Sequence, residues 1–347
     1  MTRQYEYGWK GGDVPGELHF EHSLSDASWT GLLIETVQAV FPPSAGAADL
    51  SALQNVAGPA GSYCLSGGDK SWFVRVSSRR GDPELERHLL DFLLEREVSV
   101  NPLLMAGAAM EWEGLTYRVD VRPLVVGRHY ARTPTDLIAV SEATRRCHDA
   151  LIDYPRAAQV QRNKAVEAEL HTKARGWVDE ALVRDEFGVF GERQPWAVSN
   201  KDFLRELVEG YEPNQMDLDR AQCVHGEIHP GNVIYDGDGA AVLVDFEDAP
   251  KAFGPVEWDM AYLVQRFCLN HFSGSELRGG LETVARAYGN RLDDLAGAMR
   301  QTCWYCVIVA VVLATEDTLV PVSEYRKFAK MAKQADRMRS LLQDVFC

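Results

Sequence analysis

Two short segments in the second half of the chain carry residues whose types and spacing suit phosphoryl transfer. The first reads VHGEIHPGN and contains Glu227 and Asn232, and the second reads VLVDFED and contains Asp245. Asn232 follows Glu227 by five positions, and Asp245 comes thirteen positions later. Phosphoryl transfer needs a carboxylate that orients the acceptor hydroxyl, together with an amide and a second carboxylate that hold Mg²⁺ on nucleotide phosphates.

The residues between Asn232 and Asp245 predict a hairpin. The sequence YDGDG at 235–239 is typical of a tight turn, and apolar residues dominate 240–246. A strand, a turn and a second strand ending at Asp245 would bring the two side chains together. Mg²⁺ usually takes one or two ligands from protein, so an Asn and an Asp suffice. The alternative is a polar hairpin with scattered acids, but the full string H-G-[DE]-x4-N-x12-D is more specific than that.

The string resembles the H-G-D-x-x-x-x-N and I-D-F-x-D motifs of the aminoglycoside phosphotransferase and choline kinase superfamily, relatives of the protein kinases. The resemblance implies that Glu227 takes the catalytic-base position, where the family has Asp, and that Asn232 and Asp245 take the metal positions. It gives His225 the role of bracing the catalytic loop. Asp259, in the sequence EWDMA, resembles the structural W-D-L-A element of the family.

The resemblance also implies an α+β, two-lobed protein-kinase-like fold, with a small β-rich N-lobe, a large and mainly helical C-lobe, and ATP between them. We expect residues 1–50 to form an N-terminal extension that packs on the small lobe. Residues 51–126 would form the nucleotide-binding N-lobe. Residues 127–347 would form the helical C-lobe with the catalytic loop and the acceptor site.

The N-lobe is predicted to open with a glycine-rich hairpin at 53–78. Gly58 and Gly61 would let backbone N–H groups approach phosphates, although glycines also mark ordinary turns. Alternation of apolar residues predicts a strand over 71–76. Protein kinases place a phosphate-binding Lys on this strand, and Arg75 takes that position here.

A helix should follow this strand. Asp82 is a candidate N-cap, and Pro83 suits the first helical position. Glu86 lies beside the apolar stripe of the helix. By the resemblance it pairs with Arg75; two solvated surface charges are the alternative.

Two further strands are predicted at 103–112 and 115–126. The second runs into the sequence RPLVVG at 122–127, which resembles the kinase hinge, where backbone groups meet the adenine. The resemblance implies that Val121 and Pro123 are nucleotide contacts at this hinge.

Helical patterns dominate the remainder of the chain. Apolar residues at helical spacing predict helices at 29–41, 136–152, 160–187, 255–272, 274–288, 292–315 and 323–345. In the resembled family the charge-rich insertion at 160–187 forms one wall of the acceptor site. For any single charge in it, a solvated helical face is the alternative.

The net charge, the cysteines and the apolar runs of the chain indicate which partners and which cellular compartment it suits. The formal net charge of -15 argues against a nucleic-acid partner. It is compatible with a cationic acceptor, but an acidic protein without that preference would look the same.

Seven cysteines, mostly in apolar segments, favour reduced thiols in the cytoplasm, and the C-x-x-C at 303–306 favours buried core thiols over zinc. The longest apolar run, 303–314, is too short to cross a bilayer of roughly 30 Å, so we expect no membrane.

The sequence therefore predicts an ATP-dependent small-molecule kinase that uses Mg²⁺, with GTP as an alternative donor. The acceptor hydroxyl would belong to an aminoglycoside-like compound, an amino alcohol, a sugar or a natural-product intermediate. One alternative is a nucleotide-binding pseudokinase with a regulatory or scaffold role, and another is transfer of a nucleotidyl group. Glu227 and Arg75 depart from the family pattern but keep its charges, which favours a working enzyme.

Overall fold

The computed structural model describes residues 22–23, 29–40, 49–52, 60–67, 70–77, 82–209, 220–289, 292, 294–315 and 320–347. Their contacts divide the chain into two compact units. The unit that we call the sheet unit contains the described residues of 14–154 together with 230–250. The unit that we call the helical unit contains the described residues of 155–229 and 251–347.

A six-stranded antiparallel sheet organises the sheet unit. Its strands are β1 His22–Ser23, β2 Asp49–Ala52, β3 Gly61–Gly67, β4 Lys70–Ser77, β5 Met105–Trp112 and β6 Leu115–Pro123. They lie in the order β1-β2-β3-β4-β6-β5. Glu113 and Gly114 join β5 to β6 with positive φ angles of 48° and 76°, as a two-residue hairpin turn requires. The strands predicted at 71–76, 103–112 and 115–126 are therefore present, the last with a shorter C-terminal end.

One face of this sheet is covered by helix α1 (Thr30–Val40). The alternation predicted for β4 is confirmed, because Trp72, Val74 and Val76 all lie in the core beneath α1. Leu33 and Val37 are fully buried on the helix side of that core. Val40, in the last turn of α1, is 56% exposed.

Helix α2 (Pro83–Leu94) follows β4. The predicted N-cap is confirmed, since the Asp82 carboxylate accepts a hydrogen bond from the Leu85 N–H at 3.0 Å. The predicted apolar stripe is buried, and Glu86 beside it is fully buried as well. A carboxylate with no solvent exposure must find partners within the fold.

The predicted hairpin between Asn232 and Asp245 is also present. Strand β8 (Val233–Tyr235) pairs with β9 (Ala241–Leu243), and the Asp236 carboxylate accepts from two N–H groups in the turn. The second strand ends at Leu243, two residues earlier than predicted.

The hairpin is bonded to other segments of the sheet unit. The Leu243 N–H donates to the Ser99 carbonyl at 3.0 Å, and the Leu243 carbonyl accepts from Asn101 at 3.2 Å. Helix α3 (Pro134–Leu151) packs against β9. By these contacts residues 127–154 and 230–250 lie in the sheet unit, whereas the predicted N-lobe ends at residue 126.

The helical unit contains the remaining helices. They are α4 Ala157–Arg184, α5 Gly188–Arg193, α6 Pro195–Ser199, α7 Lys201–Glu209, α8 Glu257–Leu263, α9 Gly274–Tyr288, α10 Leu295–Thr315 and α11 Val322–Phe346. A short ladder joins β7 (Gln222–Cys223) to β10 (Phe253–Gly254), and a π-helical segment follows α8 at Val264–Leu269. Sequence reasoning missed α5 to α7, which are only five to nine residues long.

Helix α10 is long and apolar enough to cross a membrane by length and composition alone. However, 67% of its apolar window is buried inside the helical unit. Its neighbours there are α4, α8 and α11, so it is a core helix of this unit. All seven cysteines lie in the described part of the chain and are free thiols, and Cys303 and Cys306 are buried in α10 as predicted.

Replacing Gly127 tests how tightly the segment after β6 is fixed to the hairpin. Arg128 and Tyr235 exchange two backbone hydrogen bonds of 2.9 Å, and a Cβ atom at Gly127 would overlap the Tyr235 carbonyl oxygen. We expect Gly127→Ala to lower the free energy of unfolding by about 1–3 kcal/mol in urea titrations. Gly237→Ala, in the turn of the same hairpin with no atom within 4 Å, is the matched control. Equal stability of the two variants would contradict this packing.

Candidate active site

Asn232 and Asp245 lie at the open end of the β8–β9 hairpin, as predicted. The Val244 N–H donates to the Asn232 carbonyl at 3.0 Å, so Asp245 directly follows the residue bonded to Asn232. Asn232 is 7% exposed and ends a short 3-10 turn, Pro230–Asn232. Asp245 has a φ of 65°, a left-handed conformation that is uncommon outside glycine and is often retained at functional sites.

This pair fits a magnesium ion by its donor chemistry. The Asp245 carboxylate is half-buried, and among the described residues none hydrogen-bonds to it or forms an ion pair with it. Amide and carboxylate oxygens are ligands that Mg²⁺ accepts. The described residues contain no group of three or more His, Cys, Asp and Glu that could hold a metal. The donor set therefore suits a cation that takes its other ligands from phosphates and water.

The predicted ion pair between Arg75 and Glu86 is wrong. Glu86 instead accepts hydrogen bonds from two arginines of the neighbouring strand β6. Its Oε2 atom accepts from Arg118 at 2.6 Å, and its Oε1 atom accepts from Arg122. The side chains of β4 and β6 alternate in register, so Arg75, Arg118 and Arg122 all point to the face on which Glu86 lies. Both oxygens of Glu86 are thus bonded to arginines of β6.

Arg75 itself has other partners in the sheet unit. Its Nη1 atom donates to the Ser62 hydroxyl at 3.1 Å, across the β3–β4 ladder. Its Nη2 atom is 3.8 Å from Oε1 of Glu247, two residues after Asp245. The Arg75 side chain is 27% exposed. The structure therefore links the predicted phosphate-binding arginine to the segment that carries Asp245.

The other predicted nucleotide contacts differ in where they lie and in whether their backbone groups are already hydrogen-bonded. Val121 lies in the middle of the sheet with its side chain fully buried, and its carbonyl accepts from the Leu104 N–H at 2.8 Å. The Val121 carbonyl is thus already bonded within the sheet unit, whereas Pro123 is the last residue of β6. Gly61 starts β3 opposite Val76. Gly58 lies outside the described residues.

In the helical unit, a buried aspartate holds the loop that carries Glu227. Asp259, on α8, is fully buried, and its two oxygens accept from the backbone N–H groups of His225 and Gly226, each at 2.8 Å. The Trp258 indole N–H donates to the Gly226 carbonyl at 3.0 Å. Gly226 has a φ of 98°, which favours glycine. The predicted structural role of Asp259 is therefore what the structure shows.

His225 is buried within the same loop. It is 1% exposed, and its Nδ1 atom accepts from the Glu227 N–H at 3.4 Å. The Glu227 side chain is 43% exposed, with Oε1 3.6 Å from Nε2 of His229. Burial lowers the pKa of His229 to about 3, and the positive charge of Arg266 acts in the same direction. His229 is thus neutral near pH 7 and places no positive charge beside the Glu227 carboxylate.

A cluster of aromatic and charged side chains lies behind this loop in the helical unit. Glu167 on α4 accepts from the Tyr305 hydroxyl at 2.8 Å and pairs with Lys164 at 2.9 Å and with Lys251 at 3.4 Å. The Lys164 ammonium is 4.1 Å from the Tyr305 ring centre and 5.3 Å from that of Trp258, within range of cation–π attraction.

These contacts show that Glu167 and Lys164 are not simply solvated charges on the surface of α4. Glu167 and Lys164 have side-chain exposures of only 15% and 24%. Burial acts to raise the pKa of Glu167, but the two lysines hold it below its usual range. Sequence reasoning missed this cluster, since its members come from distant segments. The only available signal was the aromatic content of EWDMA and CWYC.

An antiparallel sheet covered by helices, a loop held by a buried aspartate, and an Asn–Asp hairpin together define the protein-kinase-like class of fold. The family model described as the phosphotransferase enzyme family matches residues 54–300 of this chain. The chain belongs to this family, and it is a kinase of the small-molecule type.

Solved structures show the same fold at low sequence identity. A spectinomycin phosphotransferase is similar with a TM-score of 0.59 and 15% identity, over 91% of this chain and 95% of that chain. The choline kinase of Streptococcus pneumoniae has a TM-score of 0.55 and 12% identity, over 89% and 100%. An aminoglycoside-3'-phosphotransferase of type VIII has a TM-score of 0.52 and 17% identity, over 83% and 99%. No curated protein sequence matches the chain.

Replacing Asp259 tests the bracing of the catalytic loop. An amide offers one acceptor oxygen where the carboxylate offers two, so Asp259→Asn leaves a buried N–H of His225 or Gly226 without its partner. We expect a loss of about 1–3 kcal/mol in the free energy of unfolding, measured by urea titration. Asp202→Asn makes the same change on α7, where the side chain is 90% exposed, and should shift stability by less than about 0.5 kcal/mol. An Asp259→Asn protein with an unchanged free energy of unfolding would contradict this bracing.

Proposed function

We propose that this protein transfers the γ-phosphate of ATP to a hydroxyl group of a small molecule. The observation that carries the proposal is the β8–β9 hairpin, which brings Asn232 and the left-handed Asp245 together in one unit with Arg75. Two structures of the spectinomycin phosphotransferase contain ADP or AMP, which supports a nucleotide donor here. GTP is an alternative donor that the same phosphate contacts would accept.

In this proposal the sheet unit binds the nucleotide. Arg75 donates hydrogen bonds to the phosphates, and its planar, permanently charged fork suits phosphate oxygens. Asn232 and Asp245 hold Mg²⁺, which when bound neutralises charge on the phosphoryl group that is transferred. The hinge residues from Pro123 onward contact the base. The sheet fixes these groups to each other, so little movement is needed before transfer.

In the helical unit, Glu227 orients the acceptor hydroxyl and accepts its proton. The acceptor oxygen forms a bond to the γ-phosphorus while the bond from that phosphorus to the bridging oxygen breaks, and ADP leaves. The transition state of such transfers is loose, so positioning matters more than base strength. Asp259 and His225 supply that positioning by fixing the backbone on the N-terminal side of Glu227.

The acceptor is proposed to be a small molecule with a free hydroxyl, and a cationic one is compatible with the net charge of -15. Among the proteins of similar fold, one is named for spectinomycin and another for choline. The proposal places the protein in the cytoplasm, because its cysteines are free and six of the seven are buried. It gives no role to nucleic acid.

A second candidate is a nucleotide-binding pseudokinase with a regulatory or scaffold role. The observation that favours it is that Glu227 and Arg75 stand where the family pattern has Asp and Lys. Glu227 is one methylene longer than the family's Asp, and a displacement of about 1 Å can cost about 10²-fold in rate. The bracing of the loop by Asp259 argues for the enzyme, since it holds Glu227 in one place.

The decisive experiment is transfer of labelled γ-phosphate to a panel of amino alcohols, aminoglycosides and sugars, with products weighed by mass spectrometry. We expect a product heavier by one phosphate, and a fall in kcat of about 10²–10⁴-fold in Glu227→Gln with nearly unchanged ATP affinity. Glu227→Asp, which restores the family residue, should retain activity.

Three other outcomes would overturn the proposal. Full turnover by Glu227→Gln would remove the assigned base. Magnesium-dependent ATP binding without any acceptor-dependent ADP release would favour the pseudokinase. A product heavier by a nucleoside monophosphate would show nucleotidyl transfer.

A further inference from the structure

We propose that Glu247, and not Glu86, is the residue that positions Arg75 for the nucleotide phosphates. The inference rests on the proposed nucleotide site and concerns how this chain holds its phosphate-binding arginine. It follows from the ion pairs of the sheet unit, in which three arginines pair with three carboxylates in a specific way.

Glu86 has no capacity left for Arg75. It is fully buried, and each of its oxygens is already bonded to a different guanidinium, one from Arg118 and one from Arg122. Arg122 is also buried and donates in addition to the Asn101 carbonyl at 3.2 Å. A third guanidinium on the same carboxylate would add buried positive charge without a balancing anion, which is costly in a desolvated location.

Asp120 is a second carboxylate next to Arg75, because the two residues are directly paired between β4 and β6. However, Oδ2 of Asp120 pairs with Arg118 at 2.6 Å, and Oδ1 accepts from the Gly107 N–H at 2.7 Å. Glu86, Asp120, Arg118 and Arg122 therefore form a closed set with two negative and two positive charges. Arg75 stands outside that set.

The remaining carboxylate within reach of Arg75 is that of Glu247, with Nη2 and Oε1 3.8 Å apart. Side-chain exposures of 27% and 21% leave this pair partly solvated. It is looser than the buried set, so the arginine can keep the partner while it donates to phosphate oxygens. The Ser62 hydroxyl holds the other end of the guanidinium at 3.1 Å.

Glu247 is well placed for this task because its backbone is anchored. The preceding residue, Phe246, is fully buried, and its carbonyl accepts from the Ala249 N–H at 3.1 Å. Asp245, the proposed magnesium ligand, comes just before Phe246. One short segment thus carries the metal ligand and the partner of the phosphate-binding arginine, so that both are set by the same buried aromatic ring.

A double-mutant cycle tests the inference. The variants are Glu247→Gln, Arg75→Met and the double variant, with Kd for Mg·ATP measured by calorimetry and KM and kcat measured in the transferase assay. We expect Glu247→Gln to raise Kd and the KM for ATP by roughly threefold to fivefold, with a smaller change in kcat. We expect Arg75→Met to raise them by about tenfold or more. The double variant should match Arg75→Met alone.

Two further variants separate positioning from a general structural effect. Glu95→Gln removes an exposed carboxylate after α2 and should leave ATP affinity unchanged. Glu86→Gln should lower thermal stability, because it leaves two buried arginines with a weaker partner, while Kd for Mg·ATP in the folded protein changes less than in Glu247→Gln.

The results that would overturn the inference are distinct from those that would overturn the function. If Glu247→Gln weakens ATP binding equally with and without Arg75, Glu247 acts by another route, such as a direct contact with the metal. If Glu247→Gln has no effect while Glu86→Gln weakens binding, Glu86 is the positioning residue. If the wild-type protein does not bind Mg·ATP, the proposed function and this inference fall together.

Discussion

The hydrogen bond from the Val244 N–H to the Asn232 carbonyl is the constraint on which the candidate site depends. It closes the open end of the β8–β9 hairpin, so that Asn232 and Asp245, thirteen residues apart in sequence, both lie at that end. The hairpin is in turn bonded through Leu243 to Ser99 and through Tyr235 to Arg128. The proposed metal ligands are thus fixed to the same sheet that carries Arg75.

Two kinds of carboxylate can be distinguished in the structure, those that are fully buried and paired and those that keep solvent exposure. Glu86 and Asp259 are fully buried, and every oxygen of each accepts a hydrogen bond from a guanidinium or a backbone N–H. Glu227 and Asp245 keep solvent exposure. Burying a carboxylate is tolerated only with full pairing, whereas a carboxylate that must meet a proton or a cation needs accessible oxygens.

Local signals in the sequence were sufficient for much of this architecture. The N-cap Asp82, the turn YDGDG and the period-two alternation of β4 each act over a few residues, and each prediction was confirmed. The motif spacing also led to the Asn232–Asp245 pair. These features are readable because the physical cause lies within the segment itself.

The errors arose where the outcome depends on competition between distant groups. Alternation places Arg75, Arg118 and Arg122 on one sheet face, and nothing in their spacing tells which of them reaches Glu86. The division of the chain likewise follows hydrogen bonds such as that from Leu243 to Ser99, which join segments far apart in sequence. The cluster of Lys164, Glu167 and Tyr305 was missed for the same reason, because its members come from segments far apart in sequence.

The measurement that tests the central claim most directly is the stabilisation of the protein by Mg·ATP in wild type and in Asp245→Ala. At about 100 times Kd, the nucleotide should raise the free energy of unfolding of wild type by roughly 2.7 kcal/mol. The account predicts that this gain disappears when Mg²⁺ is omitted and when Asp245 is replaced. An equal, magnesium-independent gain in both proteins, or no gain in wild type, would contradict it.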